Sequence, residues 1–248
     1  MWVRERLERI STEMSKPLSY ETLERLRVGR PVDRLDFLAE LCRDKVVLDI
    51  GCLDETALSK RDTKYWLHGR ISTVAREVIG IDSSSSIPPE GLRTANNAII
   101  LHGDGVDLDL PEEREDDVDQ IVAGEFIEHV EAPLEFLRNM KRRFPGKELL
   151  ITTPNGSAFA NSFLGIFGRE AQHPDHLQIF TYKILTTLCM RAGIERWEII
   201  PYRFTASEMI LNSKGPKRLL TIAVQGLIRG VERFLPLLSF GYVVRMRM

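Results

Sequence analysis

Residues 125–129 read Glu-Phe-Ile-Glu-His, so Glu125 and Glu128 stand three positions apart and His129 adjoins the second acid. On a helix beginning there, Glu125, Glu128 and His129 can converge on one point. Mixed oxygen and nitrogen donors suit a divalent ion such as magnesium, manganese or zinc and do not select among them. Two further imidazoles occur in Gln172-His173-Pro174-Asp175-His176. His129 or His176 could equally act as a general base toward a hydroxyl. A second series of polar residues closes short apolar runs: Asp49, Gly51 and Cys52 end VVLDIGC, Asp82 ends VIGID, and Asp104 and Gly105 lie in HGDG. Glycine at Gly51 lets the backbone turn tightly beside a ligand, and a strand-end carboxylate at Asp82 can accept hydrogen bonds from both hydroxyls of a ribose. After Gly51 the turn continues Cys52-Leu53-Asp54-Glu55. A dinucleotide site would want further glycines there, and two acids would repel a pyrophosphate. A nucleoside ligand with an ammonium and no phosphates fits better.

These residues need a scaffold that gathers strand ends. Short apolar runs predict strands at 45–50, 77–81, 98–102, 120–123, 149–152 and 197–202, and helical stretches separate most of them, notably at 132–143 and 182–192. Pro31 suits a first helical turn, followed by Leu35, Leu38 and Leu41 at about one-turn spacing. Buried strands alternating with helices indicate a mostly parallel sheet covered on both faces, an α/β fold. In such sheets ligands lie beyond the carboxyl ends of the strands, where the residues named above fall. His102 sits inside the third run and reads as structural. The segment 63–70, with Trp66 and His68, reads either as a lid over the ligand or as a helix packing Trp66 into the core.

The motifs VVLDIGC, VIGID, HGDG, VAGEFIEHV and LLITTPN, in this order and spacing over residues 31–206, resemble class I S-adenosylmethionine-dependent methyltransferases. The resemblance implies a Rossmann-like, seven-stranded, mostly parallel sheet with helices on both faces and an antiparallel last strand, here near 240–246. It implies S-adenosyl-L-methionine as cofactor, with Asp49 and Gly51 lining the methionine portion, Asp82 on the ribose, Asp104 and Gly105 at the adenine, and Cys52 and Glu125 also among the cofactor-binding residues. The family usually has a second glycine where this chain has Leu53. The E-x-x-E-H segment, the TPN strand end and the later histidine are similar to the ubiquinone-biosynthesis O-methyltransferases and to small-RNA 2′-O-methyltransferases. That likeness implies Glu125, Glu128, His129 and His176 as metal ligands and a hydroxyl as the acceptor.

The domain reading is an N-terminal helical extension over 1–30, with helices before Lys16-Pro17 and at 20–28, followed by one catalytic domain over 31–248 with a helical insertion at about 204–239. The 248 residues carry 34 basic and 36 acidic side chains, a net charge of -2, which argues against a protein that coats nucleic acid. The expected acceptor is a small-molecule hydroxyl: a sugar or glycan precursor, a lipid-linked intermediate or a phenol. RNA methylation, and a non-catalytic subunit of this fold, are the rivals. Charge is uneven, with eight acids and one arginine in 107–119, and seven bases and one acid in 214–248. An amphipathic helix through Leu220, Val224, Leu227, Val231 and Phe234 is expected to pack on its own domain or a second subunit, or to lie on an anionic membrane. Three widely spaced cysteines and the absence of a signal peptide or a spanning apolar run point to a cytoplasmic protein.

Overall fold

The structure, a computed structural model, describes residues 25–53, 56–61, 63–108, 110, 112–170 and 172–248. Most of the expected N-terminal extension lies outside them. Residues 25–28 of its second helix are described and have no regular structure.

Three short apolar runs become the middle of the sheet: β1 (Val46–Ile50), β2 (Glu77–Asp82) and β5 (Gln120–Gly124). β1 is buried along its whole length, as a central strand covered on both faces must be. The remaining strands are β3 (Leu92–Ala95), β4 (Ala98–His102), β6 (Glu148–Pro154), β7 (Arg196–Tyr202) and β8 (Gly241–Arg247). Their order is β3-β4-β2-β1-β5-β6-β8-β7. β4, β2, β1, β5 and β6 are parallel neighbours, and β8 is inserted antiparallel between β6 and β7. The strand count is therefore eight rather than seven. The additional strand, β3, pairs antiparallel with β4 through Leu92 and Ile100. It is short and half-exposed, so it lacks the continuous apolar run that marks a buried strand.

Alternate residues of each strand feed two cores. Leu48, Ile50, Ile79, Ile121 and Ile151 pack against Phe136, Leu137 and Met140 of α5 (Pro133–Arg143) and against Leu185 and Cys189 of α7 (Tyr182–Arg191). On the opposite face, Val47, Val78, Val122 and Leu150 meet Leu38 of α1 (Arg34–Leu41) and Ile71 of α3 (Leu67–Ser72). The other helices are α2 (Ala57–Lys60), α4 (Glu112–Asp117), α6 (Phe159–Ile166), α8 (Ser207–Leu211) and α9 (Gly215–Phe234). Cys42, Cys52 and Cys189 are buried and unpaired. Among the described residues no helix is long and apolar enough to cross a membrane.

The chain runs outward from β1 through β2 to β4, then returns to the other side of β1 for β5 and β6. Strand order thus reverses between β1 and β5, and a crevice opens at their carboxyl ends. Gly51, Asp82, His102, Glu125, Asn155 and Arg203 immediately follow or end the strands around that crevice.

Candidate functional site

Gly51 leaves β1 with φ +66°, and its amide donates to the Ile81 carbonyl at 2.9 Å, holding the turn against β2. A Cβ there would stand 2.5 Å from Cδ2 of Phe126. At Gly105 a Cβ would lie 2.7 Å from Ile50 and 2.8 Å from Phe126. Both glycines are therefore required by contact, and the Phe126 ring forms the floor they share. Asp82, at the end of β2, is nearly buried. Its Oδ2 accepts from the Leu53 amide at 2.8 Å and its Oδ1 from the Ser84 amide at 2.9 Å. A carboxylate offers about four acceptor directions. The Leu53 amide ties the turn after Gly51 to the end of β2, and the Ser84 amide fixes the turn that follows β2. Asp104 is exposed, and its Oδ1 accepts from the Val106 amide at 2.6 Å, a side-chain-closed turn that presents the HGDG segment. His102 stands opposite Asp82 in register at the end of β4, inside the strand as expected, with its side chain exposed.

Asp49, near the end of β1, and Cys52, in the turn after it, are both buried. Asp49 is buried and its Oδ2 lies 2.9 Å from Nδ1 of His68, whose Nε2 is 3.0 Å from the Thr94 hydroxyl. Cys52 faces Gly80, where a Cβ would meet its sulfur at 2.7 Å. Burial, then the charges of Asp49 and Asp82, push its thiol well above the usual range, so it stays protonated. Ligand atoms of Asp49, Cys52 and His68 lie within 4.8 Å of one another. Both ring nitrogens of His68 are already engaged, which makes this a buried structural network. Trp66 packs in the core and donates to the Cys52 carbonyl at 2.9 Å. Segment 63–70 is thus the core-packed helix of its two readings. It braces the Gly51 turn from behind.

The E-x-x-E-H segment does not continue as an α-helix. Glu125 has φ +54°, a left-handed conformation uncommon for a residue with a side chain, and a 3-10 turn at Ile127–His129 follows. Its amide donates to the carbonyl and the hydroxyl of Thr152, at 2.9 and 3.0 Å. This kink removes the periodicity on which convergence of the two glutamates depended. The Glu125 carboxylate instead takes a hydrogen bond from the Tyr202 hydroxyl at 2.8 Å and pairs with Arg34 at 3.2 Å. Burial, then the Glu125 charge, raises the Tyr202 phenol well above its usual value, so it remains a donor.

Glu128 turns inward and is 1% exposed, and neither of its oxygens has a hydrogen-bond partner. Thr153 lies near enough to favour its charge slightly, yet its hydroxyl also lacks a bonded partner. Burial first, then the charge of Glu125, pushes the Glu128 carboxyl up to about 8. The Glu128 carbonyl accepts from the amides of Leu177 and Gln178, which draws the loop bearing His176 against the turn. Ligand atoms of Glu128, His129 and His176 then lie within 4.8 Å of one another. Glu125 and His173 fall outside that group. His129 Nδ1 is 3.1 Å from the Asp175 carbonyl and must donate to it, which leaves Nε2 with its lone pair. His176 Nδ1 is 3.2 Å from Gln172 Oε1 and is held in the same way. Carbonyl-held imidazoles of this tautomer are what metal ligation requires. Burial, then His129 and His173, lowers the His176 pKa and favours its neutral form.

Arg34 and Tyr202 were not apparent in the sequence reading, because neither belongs to a motif and each reaches Glu125 only through the fold. The position of Tyr202 at the end of a predicted strand was the one available signal.

The sequence matches the family described as "Methyltransferase domain" over residues 23–199. A curated relative from Mycolicibacterium smegmatis, described as a probable S-adenosylmethionine-dependent methyltransferase, is 29% identical over 160 residues, 64% of this chain and 55% of its own length. The chain thus spans about half the length of that relative. Solved structures share the fold at low identity. A S-adenosylmethionine-dependent methyltransferase from Archaeoglobus fulgidus superposes with TM-score 0.50 at 14% identity, covering 87% of this chain and 91% of that one. One from Thermotoga maritima, titled a possible histamine N-methyltransferase, gives 0.52 at 15% identity, with 86% of each chain covered. The small RNA methyltransferase HEN1 gives 0.53 at 20% identity, covering 94% of this chain and 27% of that one.

Proposed function

Because the chain belongs to the methyltransferase-domain family and carries a class I S-adenosylmethionine-dependent methyltransferase domain, we propose that it methylates a hydroxyl oxygen of a small molecule. The acceptor classes are a sugar or glycan precursor, a lipid-linked intermediate and a phenol. The observation that carries this reading is the buried, unpartnered Glu128 carboxylate set beside His129 and His176. A lone buried carboxylate is costly, and a cation offsets that cost. One carboxylate and two neutral imidazoles suit magnesium, manganese or zinc. Such an ion would supply Lewis acidity toward a hydroxyl.

S-adenosylmethionine supplies an electrophilic methyl group on a sulfonium. Every other requirement falls on the chain. Asp82 binds the ribose hydroxyls, and Gly51 and Gly105 open the crevice above Phe126. Asp104 meets the adenine edge. Glu125 is fixed by Arg34 and Tyr202 just beyond the end of β5. Orienting the acceptor oxygen in line with the methyl group can supply roughly 7 to 11 kcal/mol of the barrier. With an ion bound, the lone pairs of His129 and His176 would be spent on it and the ion would lower the pKa of the hydroxyl; without one, His129 or His176 would take the hydroxyl proton through Nε2, an effect worth about 10² to 10⁴-fold. The net charge of -2 favours a small acceptor over a nucleic acid.

Elemental analysis after dialysis tests the metal centre. The wild type should retain about one divalent ion per chain, and Glu128→Ala and His176→Ala should lose it, with methyl transfer falling in parallel. Equal metal content in all three proteins would defeat this assignment.

A further inference from the structure

Helix α9 is amphipathic in the usual sense and docked in the reverse one. At 100° per residue, Leu219, Leu220, Ala223, Val224, Leu227, Val231 and Phe234 share one side, and Thr221, Gln225, Arg229 and Glu232 the other. The polar side faces the protein. Gln225 accepts from the Ala206 amide at 2.8 Å, Arg229 donates to the Phe204 carbonyl at 2.7 Å, and Glu232 accepts from the amides of Phe204 and Phe240 at 3.0 and 2.9 Å. The apolar side faces out: Leu219, Leu220, Leu227 and Phe234 are 70, 65, 69 and 81% exposed. α9 packs against α6, where Phe163, Ile166 and Phe167 are exposed as well. Isolated exposed leucines are ordinary, but an adjoining apolar patch across two helices marks an interaction surface.

Charge selects the occupant. Lys214, Lys217, Arg218 and Arg233 are exposed on α9 and at its cap, and among the described residues they form no salt bridge. The acid of this helix, Glu232, is buried on the inner side. A second copy placed face to face would bring like charges together. An anionic bilayer accepts the apolar side between its headgroups and attracts the exposed cations of the same helix, of which Lys217 flanks the apolar side and Arg218 and Arg233 stand farther round.

We propose that α6 and α9 form the surface by which this protein lies on an anionic lipid bilayer. The other side of α6, through Asn161, Ser162 and Gly165, lines a hollow of 470 Å³ that also contains Gln172, the residue holding His176. The docked surface therefore adjoins the hydroxyl-acceptor side of the site. On that point, which rests on the methyl-transfer reading, the lipid-linked acceptor class is favoured; the docking itself is independent of it.

Co-sedimentation with phosphatidylcholine vesicles, with and without phosphatidylglycerol, tests the surface. The wild type should sediment with the anionic vesicles and be released by salt. Replacing Lys217, Arg218 and Arg233 by serine should weaken binding about fivefold per cation, and Leu220→Glu with Leu227→Glu should abolish it. All variants should keep the wild-type melting temperature and wild-type affinity for S-adenosylhomocysteine, which separates failure of docking from failure of the proposed activity. No sedimentation of the wild type, or sedimentation unchanged in the leucine variant, overturns the proposal. A wild-type dimer that Leu227→Glu splits, with no vesicle binding, overturns it in favour of a second copy.

Discussion

Glu125 and Glu128 are the same residue type three positions apart, and the fold gives them different tasks. Glu125, kinked at φ +54°, is spent on Tyr202 and Arg34, and Glu128 is left buried without a donor. A regular helix would have made them a pair. The sequence therefore showed which side chains could ligate but not how they divide, because a single left-handed residue decides it. Glu128, His129 and His176 were legible, since spacing and residue type name them. The partner of Asp49, His68, lies 19 residues further on and outside the motif, so this contact was not legible. Tyr202 reaches Glu125 across 77 residues, beyond any local pattern. Tyr202→Phe removes the donor from a half-buried carboxylate and should lower stability by about 1 to 3 kcal/mol in urea titration. An unchanged midpoint would show that Arg34 alone holds Glu125.

At the scale of elements, α9 was foreseen as amphipathic but its orientation was not, since periodicity locates an apolar stripe without saying which side meets the protein. Orientation follows from Glu232, which collects amides on both sides of the β7–β8 connection. Burial raises its carboxyl from 4.5 to about 7, against the opposing pull of those amides and of Arg229 and Arg203. A raised acid binds its proton more tightly in the folded chain. Stability is thus highest below the unfolded value and falls as pH rises from about 4.5 to about 7. Urea midpoints on either side of this window should show the decline in the wild type and lose most of it in Glu232→Gln. An equal decline in the variant would assign the effect elsewhere. β3 escaped prediction for a related reason: it is a half-exposed edge strand, and its stability comes from pairing with β4 rather than from its own composition.

For the whole molecule, the order of the strand-end motifs was enough to establish the α/β sheet, because each buried parallel strand announces itself as a continuous apolar run. The reversal between β1 and β5 then collects Gly51, Asp82, Gly105 and Glu125 at one crevice, with the histidine pair beside it. The near-zero net charge hides a segregation in which the C-terminal segment, including α9, is basic and residues 107–119 are acidic. The residues proposed for nucleoside recognition, acceptor activation and surface docking thus occupy neighbouring parts of the fold. The proposed methyl transfer depends on the crevice binding S-adenosylmethionine through Asp82. Calorimetric titration with S-adenosylhomocysteine tests this most directly. The wild type should bind one equivalent, and Asp82→Ala, losing charge-assisted bonds worth about 1.5 to 3 kcal/mol, should bind roughly 10 to 150-fold more weakly. Equal affinity in the folded variant, or no binding by the wild type, would contradict the account.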